Sequence, residues 1–232
     1  MELSIKDIAA ALGVQEETIE RWAQDGKLPA REINGHYRMN RSELLEWATF
    51  KRIAVHPEIA TGTDANELEI TSALTRGGVH FGVGGDDKPT VLAELVRILP
   101  LPAGADRDFL LQVLLAREAL GSTGIGNGIA IPHVRNPIVF DVRDPILSLY
   151  RLTKPVDFAA IDKKPVDTLF LLICPTIAAH LRSLSRLSFL LKDGDLLHEL
   201  AGAKTADAMI ALFTRAERGL LAAQTGRAGH NG

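Results

Sequence analysis

The amino-acid sequence predicts an α/β chain in two parts: a small helix-turn-helix unit with a hairpin, followed by a larger domain of strands packed by helices. Three observations carry this expectation. Residues 1–50 hold short helical periods separated by tight turns and one Asn34-Gly35 pair, a strong hairpin signal. From about residue 68, helix-period runs alternate with short apolar segments of strand type, such as Ile146–Leu152 and Thr168–Cys174. Between the two parts, at 51–67, sustained periodicity lapses in a stretch containing Pro57 and Gly62, which reads as a linker.

Composition narrows the class. With 232 residues, 46% of them hydrophobic, the chain can bury one ordinary core and a smaller one. A formal net charge of −3 argues against a globally basic nucleic-acid binder, so any specific DNA site has to be local. The single cysteine, Cys174, can form neither an internal disulfide nor a four-cysteine zinc site, and no metal or cofactor is expected. MELSIKDIAAALGV places charges inside its apolar pattern and reads as an amphipathic helix, not a signal peptide. No apolar run reaches about 18 residues, so no membrane insertion is expected and a cytoplasmic protein is the simplest reading.

Ser4 with Asp7 gives a capping-type start, and Ile5, Ile8, Ala9 and Leu12 share one helical face that Gly13 ends. A second helix spans about Glu16–Asp25, with Ile19, Trp22 and Ala23 on its inner face and Gly26 as its stop. The Asn34-Gly35 hairpin follows, and Arg41-Ser42-Glu43 opens a third helix with Leu44, Leu45, Trp47 and Ala48. Helix, turn, helix, hairpin wing, helix is the predicted order for 1–50.

The words IERWAQDGKLPAREINGHYRMNRSELLEW resemble the excisionase and MerR-like winged helix-turn-helix family. That resemblance implies a second helix in the DNA major groove, with Thr18, Arg21, Trp22 and Gln24 on the groove side, and a wing carrying Arg31, His36, Tyr37 and Arg38. Trp22 serves equally well as a core residue. Charge opposes tight binding by one copy: residues 1–50 hold six bases and nine acids, and Glu16, Glu17 and Glu20 lie on or beside the reading helix. DNA binding is therefore expected from a dimer on paired half-sites, the alternative being a protein-interaction module.

In the larger part, Ile70–Leu74 and Val79-His80-Phe81 lead in, His80 being a partly buried strand residue. GVGGDD lacks the lysine and hydroxyl of a phosphate-binding P-loop. Pro89 opens a helix carrying Leu92, Leu95, Val96 and Leu99; Asp106 and Asp108 start another that runs to Gly121 and bears Arg117 and Glu118 in its last turn. Strands are expected near Ile138–Phe140, Ile146–Leu152 and Thr168–Cys174. Thr176 caps a helix to about Leu191, helices follow near 195–201 and 205–217, and 219–232 reads as a disordered tail.

GSTGIGNGIAIPH, residues 121–133, concentrates four glycines ahead of an apolar run and a Pro132-His133 pair. Glycine permits backbone paths closed to other residues, and proline restricts Ile131 to extended geometry, so His133 is presented just past a short strand. With Leu115-Ala116-Arg117-Glu118, this stretch resembles the signature of mannitol/fructose-type EIIA proteins, the type-2 EIIA domains of the bacterial phosphoenolpyruvate-dependent phosphotransferase system (PTS). Asn127 matches the wording of the nitrogen-regulatory (PtsN-like) branch. Over about 68–218 the resemblance implies an EIIA fold, a mixed β-sheet packed by helices. It also implies a phosphoacceptor at His133, a second histidine beside it at His180, and an arginine of the site rim at Arg117. Ser122, Thr123, Gly126, Asn127 and Gly128 are candidate loop donors to the phosphoryl group. Arg182 and Val134-Arg135 depart from the nitrogen-regulatory wording.

The expected function is a regulatory phosphocarrier that takes a phosphoryl group on His133 from an HPr/NPr-like histidine phosphocarrier protein and controls transcription through the N-terminal unit. The alternative is a phosphoryl donor for a sugar permease, with a docking module that does not bind DNA. An independent hydrolase or metal enzyme finds no support, because no nucleophile elbow or paired metal-ligand spacing occurs.

Overall fold

The computed structural model describes residues 2–33, 35–51, 53, 55, 69–134 and 142–228. The chain divides into two compact units: Met1–Leu68 with Leu181–Gly202 and Thr214–Gly232, and Glu69–His180 with Ala203–Phe213. The expected strand at Ile138–Phe140, most of the linker and residues 229–232 lie outside the described residues.

In the first unit, β1 (Glu2–Ser4) leads into α1 (Ile5–Leu12) and α2 (Glu16–Gln24). Ser4 and Asp7 form the capping box, with Ser4 Oγ accepting from the Asp7 amide at 3.2 Å, and Gly13 ends α1 at φ +66°. Next come β2 (Arg31–Ile33), β3 (His36–Asn40) and α3 (Arg41–Lys51). The hairpin gains a strand that periodicity did not indicate: β1 pairs antiparallel with β3, giving the order β1-β3-β2. Three residues are too short a run to show alternation. Leu3, Ile8, Ile19, Leu28, Met39, Leu44 and Ala48 form the core of these elements, joined by Leu181.

The second unit is α/β with a mixed five-stranded sheet. α4 (Glu69–Gly77), β4 (Val79–Val83), α5 (Lys88–Ile98) and α6 (Arg107–Ala119) precede the glycine-rich stretch. Two short strands follow, β5 (Gly124–Gly126) and β6 (Ile129–Ala130), and then two long ones, β7 (Ile146–Val156) and β8 (Val166–Ile173). The spatial order is β4-β7-β8-β6-β5, with β4/β7 and β6/β8 parallel and β7/β8 and β5/β6 antiparallel. Nearly all of β8 is buried, as a strand covered on both faces must be. Leu169, Leu171 and Ile173 join Val91, Leu95, Leu110 and Leu114 of α5 and α6 in one core. On the alternate register Phe170 meets Phe213 edge to face at 5.6 Å, an arrangement worth about 0.5–1.5 kcal/mol beyond its area. His80 stacks on Tyr150 at 4.9 Å within β4 and β7.

The chain closes with α7 (Ile177–Leu190), α8 (Gly194–Gly202) and α9 (Ala206–Ala228). The last helix continues past Gly219, where composition predicts fraying; LLAAQ holds strong helix formers that carry it on. Among the described residues no helix is long and apolar enough to cross a membrane.

Candidate functional site

The site is assembled at the end of β6 and the start of α7. β6 lies parallel to β8, and the chain continues past Pro132 so that His133 bridges Leu172 in the same sense. After β8 the chain turns at Pro175, and Thr176 caps α7: its Oγ1 accepts from the Ala179 amide at 3.1 Å and its carbonyl from the His180 amide at 2.9 Å. His133 and His180, 47 positions apart in sequence, thereby face each other with ring centroids 5.3 Å apart and planes inclined at 37°.

Both imidazoles are deeply covered, with 7% of His133 and 3% of His180 exposed. Burial lowers the His133 pKa from 6.5 to about 3, helped by the neighbouring His180 and the Arg117 guanidinium; burial and then Arg117 lower His180 to about 4. Both rings are therefore neutral at pH 7. His133 Nδ1 lies 2.7 Å from the Ile131 carbonyl. A carbonyl only accepts, so Nδ1 carries the proton of the neutral ring and Nε2 keeps a lone pair. His180 Nδ1 is buried with no hydrogen-bond partner among the described residues.

A pH dependence follows. Below pH about 6.5 the unfolded chain protonates these histidines while the folded one resists, so their share of stability is complete above that value and is lost as pH falls toward 4 and 3. The thermal midpoint should fall between pH 7 and pH 5, and His180→Gln should shrink that fall. An equal fall in the variant would rule out the assigned origin.

Arg117, in the last turn of α6, donates from Nη1 to the Gly121 carbonyl at 2.9 Å, and its charge acts on both histidines. The glycine stretch needs its composition. A Cβ on Gly124 would come within 2.7 Å of the Ala160 Cβ, and Asn127 and Gly128 take left-handed angles of φ 53° and 73°. Asp162 holds this turn by accepting the Asn127 amide at 2.9 Å, a contact across 35 residues that nothing in the sequence announces. Ser122 Oγ accepts from the Gly124 amide at 2.9 Å, and Thr123 is buried with its hydroxyl turned to Glu118. Gly126 is buried beside Asp162, while Asn127 is exposed.

In the first unit, Arg21 and Gln24 are exposed on α2 and Thr18 is half-buried. Trp22 packs against Trp47 at 5.9 Å, and Trp47 Nε1 donates to the Lys27 carbonyl at 2.8 Å, which puts Trp22 at the margin of the core. Arg31 pairs with Glu43, so its charge is largely offset; Arg38 is half-buried.

The fold and the histidine pair define a class: an α/β domain with a mixed sheet that presents a neutral imidazole at the end of a glycine-rich turn, attached to a helix-turn-helix unit. Residues 72–216 match the family described as phosphoenolpyruvate-dependent sugar phosphotransferase system, EIIA 2, and residues 2–52 match a helix-turn-helix domain family. The chain belongs to the EIIA 2 family. It is 36% identical over 66% of its length to a nitrogen regulatory protein of Pseudomonas aeruginosa, 99% of which is covered. It is 32% identical over 65% of its length to the fructose-specific EIIABC component of Bacillus subtilis, 24% of which is covered. Among solved structures, nitrogen regulatory protein IIA-Ntr of Neisseria meningitidis matches with a TM-score of 0.54 and 28% identity, over 62% of this chain and 98% of that one.

Proposed function

We propose that this protein is a regulatory phosphocarrier: His133 accepts a phosphoryl group from an HPr/NPr-like histidine phosphocarrier, and the phosphorylation state controls transcription through the helix-turn-helix unit. The observation that carries the reading is the neutral, oriented His133 imidazole beside the buried and unsatisfied Nδ1 of His180. The His133 Nε2 lone pair attacks the phosphorus of the donor's phosphohistidine; the donor P–N bond breaks, and its electron pair returns to the donor imidazole. Catalysis here is mostly positioning and charge stabilisation of the transferring group. Arg117 supplies positive charge and donors to its oxygens, and the neutral His180 ring supplies an N–H donor. Exposed Leu120, Ile161 and Ile177, on the segments that carry Arg117, the glycine turn's neighbour and His180, offer an apolar docking rim for the donor protein.

DNA recognition falls to Arg21, Gln24 and Arg38, with Arg31 weakened by Glu43, and a dimer on paired half-sites supplies the affinity that one acidic copy lacks. The similarity to a fructose-specific EIIABC component favours one second reading, a phosphoryl donor to a sugar permease with the N-terminal unit as a docking module. Selection of bound DNA fragments by the full chain, phosphorylated and not, separates the two. The regulator reading expects one enriched motif whose affinity drops in Arg21→Ala with a salt slope reduced by about 1. No enriched sequence in either state would favour the docking module.

A further inference from the structure

The second unit holds a buried carboxylate that the transfer chemistry does not use. Glu118, the residue after Arg117 on α6, is 8% exposed. Its carboxylate accepts the Thr123 amide at 3.2 and 3.0 Å through its two oxygens, and the Thr123 hydroxyl at 2.7 Å. Lys88, at the start of α5, approaches the same carboxylate at 3.5 Å and donates to the Phe158 carbonyl at 3.2 Å. Burying such a group costs several kcal/mol unless it is fully paired, so the arrangement persists because its hydrogen bonds are made together.

From Thr123 the hydrogen bonds continue to the site. The Thr123 carbonyl accepts the Ile131 amide at 3.0 Å, and the Ile131 carbonyl accepts His133 Nδ1–H at 2.7 Å. Pro132 lies between these last two residues and restricts Ile131 to extended geometry. Displacement of Thr123 therefore carries Ile131 with it, and with Ile131 the acceptor that fixes the tautomer and tilt of the His133 ring.

We propose that Glu118 is a positioning residue for phosphoryl transfer: clamping Thr123, it holds the Ile131 carbonyl where it orients His133 with Nε2 toward the incoming phosphorus. Second-layer contacts of this kind set ring orientation and basicity, and a misplacement of about 1 Å at a reacting atom can cost about 10²-fold in rate. The inference rests on the reading of His133 as phosphoacceptor. Its own observable, the state of the His133 ring, does not depend on that reading.

The test uses the full chain with Glu118→Ala, Glu118→Gln, Thr123→Val and Thr123→Ser. Two readouts are taken: transfer from a phosphorylated histidine carrier, and ¹⁵N NMR of the imidazoles. Glu118→Ala should lower the maximal transfer rate by about 10- to 100-fold with the KM for the carrier unchanged, because the docking rim is untouched. The His133 Nδ1–H signal, protected in the natural protein, should exchange rapidly or divide between tautomers. Thr123→Val should show the same changes in weaker form, and Thr123→Ser, which keeps the hydroxyl, should restore both. If Glu118→Ala fails to fold, the two Thr123 variants decide the matter. Folded variants with the natural rate and an unchanged His133 ring spectrum would overturn the clamp. A natural protein that takes no phosphate would instead overturn the phosphocarrier reading, and the ring spectra alone would then judge the clamp.

Discussion

His133→Ala should abolish the acid-labile phosphate that the full chain is expected to take up from a phosphorylated histidine carrier. The size of the effect follows from the site. Transfer needs an uncharged nitrogen with a free electron pair, and His133 is neutral at pH 7 because burial, His180 and Arg117 all disfavour its cation. Its tautomer is set by a carbonyl that can only accept. His180 is neutral as well, but its Nδ1 is unsatisfied among the described residues, so its tautomer lacks the carbonyl anchor that His133 has and it makes a poor substitute acceptor. Labelling that survived in His133→Ala would remove the central assignment. The variant leaves a cavity beside β8, so circular dichroism and the thermal midpoint have to accompany the labelling.

His180→Ala should slow transfer by about 10²-fold while leaving His133 as the expected site of the phosphate. Removal of one preorganised donor from a site where charge develops costs about 10²–10³ in rate, and His180 lies within ring-contact distance of the acceptor. Because His180 is buried and not on the exposed rim, the loss should appear in the maximal rate more than in the KM for the carrier. It should also appear in the reverse direction, since the same transition state is crossed both ways. An unchanged rate in both directions would leave His180 as a packing residue of α7.

Much of the site was legible in the sequence because it is written locally. Glycine density, the Pro-His pair and the preceding Arg117 lie within 17 residues, and the turn chemistry of such a run has few solutions. Helix starts were legible for the same reason: Ser4 with Asp7, Asp106 and Thr176 each satisfy amides within three residues. Contacts across the fold were not. Asp162 reaches Asn127, and Lys88 reaches Glu118, through strands and loops whose juxtaposition depends on the whole sheet order. β1 is only three residues long, and its pairing with β3 is a tertiary event. Trp22 illustrates the limit differently: helical phase leaves it between groove and core, and Trp47, which packs against it at a tilt, lies a hairpin away.

Leu181 is a further case. Next to His180 in sequence, it belongs to the apolar cluster with Ile8, Ile19 and Leu44, although its helix reads as ordinary amphipathic packing. Residue spacing identifies the buried face of a helix and says nothing about which partner covers it.

In the proposed transfer, Nε2 of His133 takes the phosphoryl group while Nδ1 keeps its proton for the Ile131 carbonyl. Phosphorylation of ¹⁵N-histidine-labelled protein, followed by ³¹P and ¹⁵N NMR, tests it directly. Phosphorus should couple to a single nitrogen, Nε2 of His133, with the Nδ1–H signal retained. Coupling to Nδ1, or phosphate on any other side chain, would contradict it.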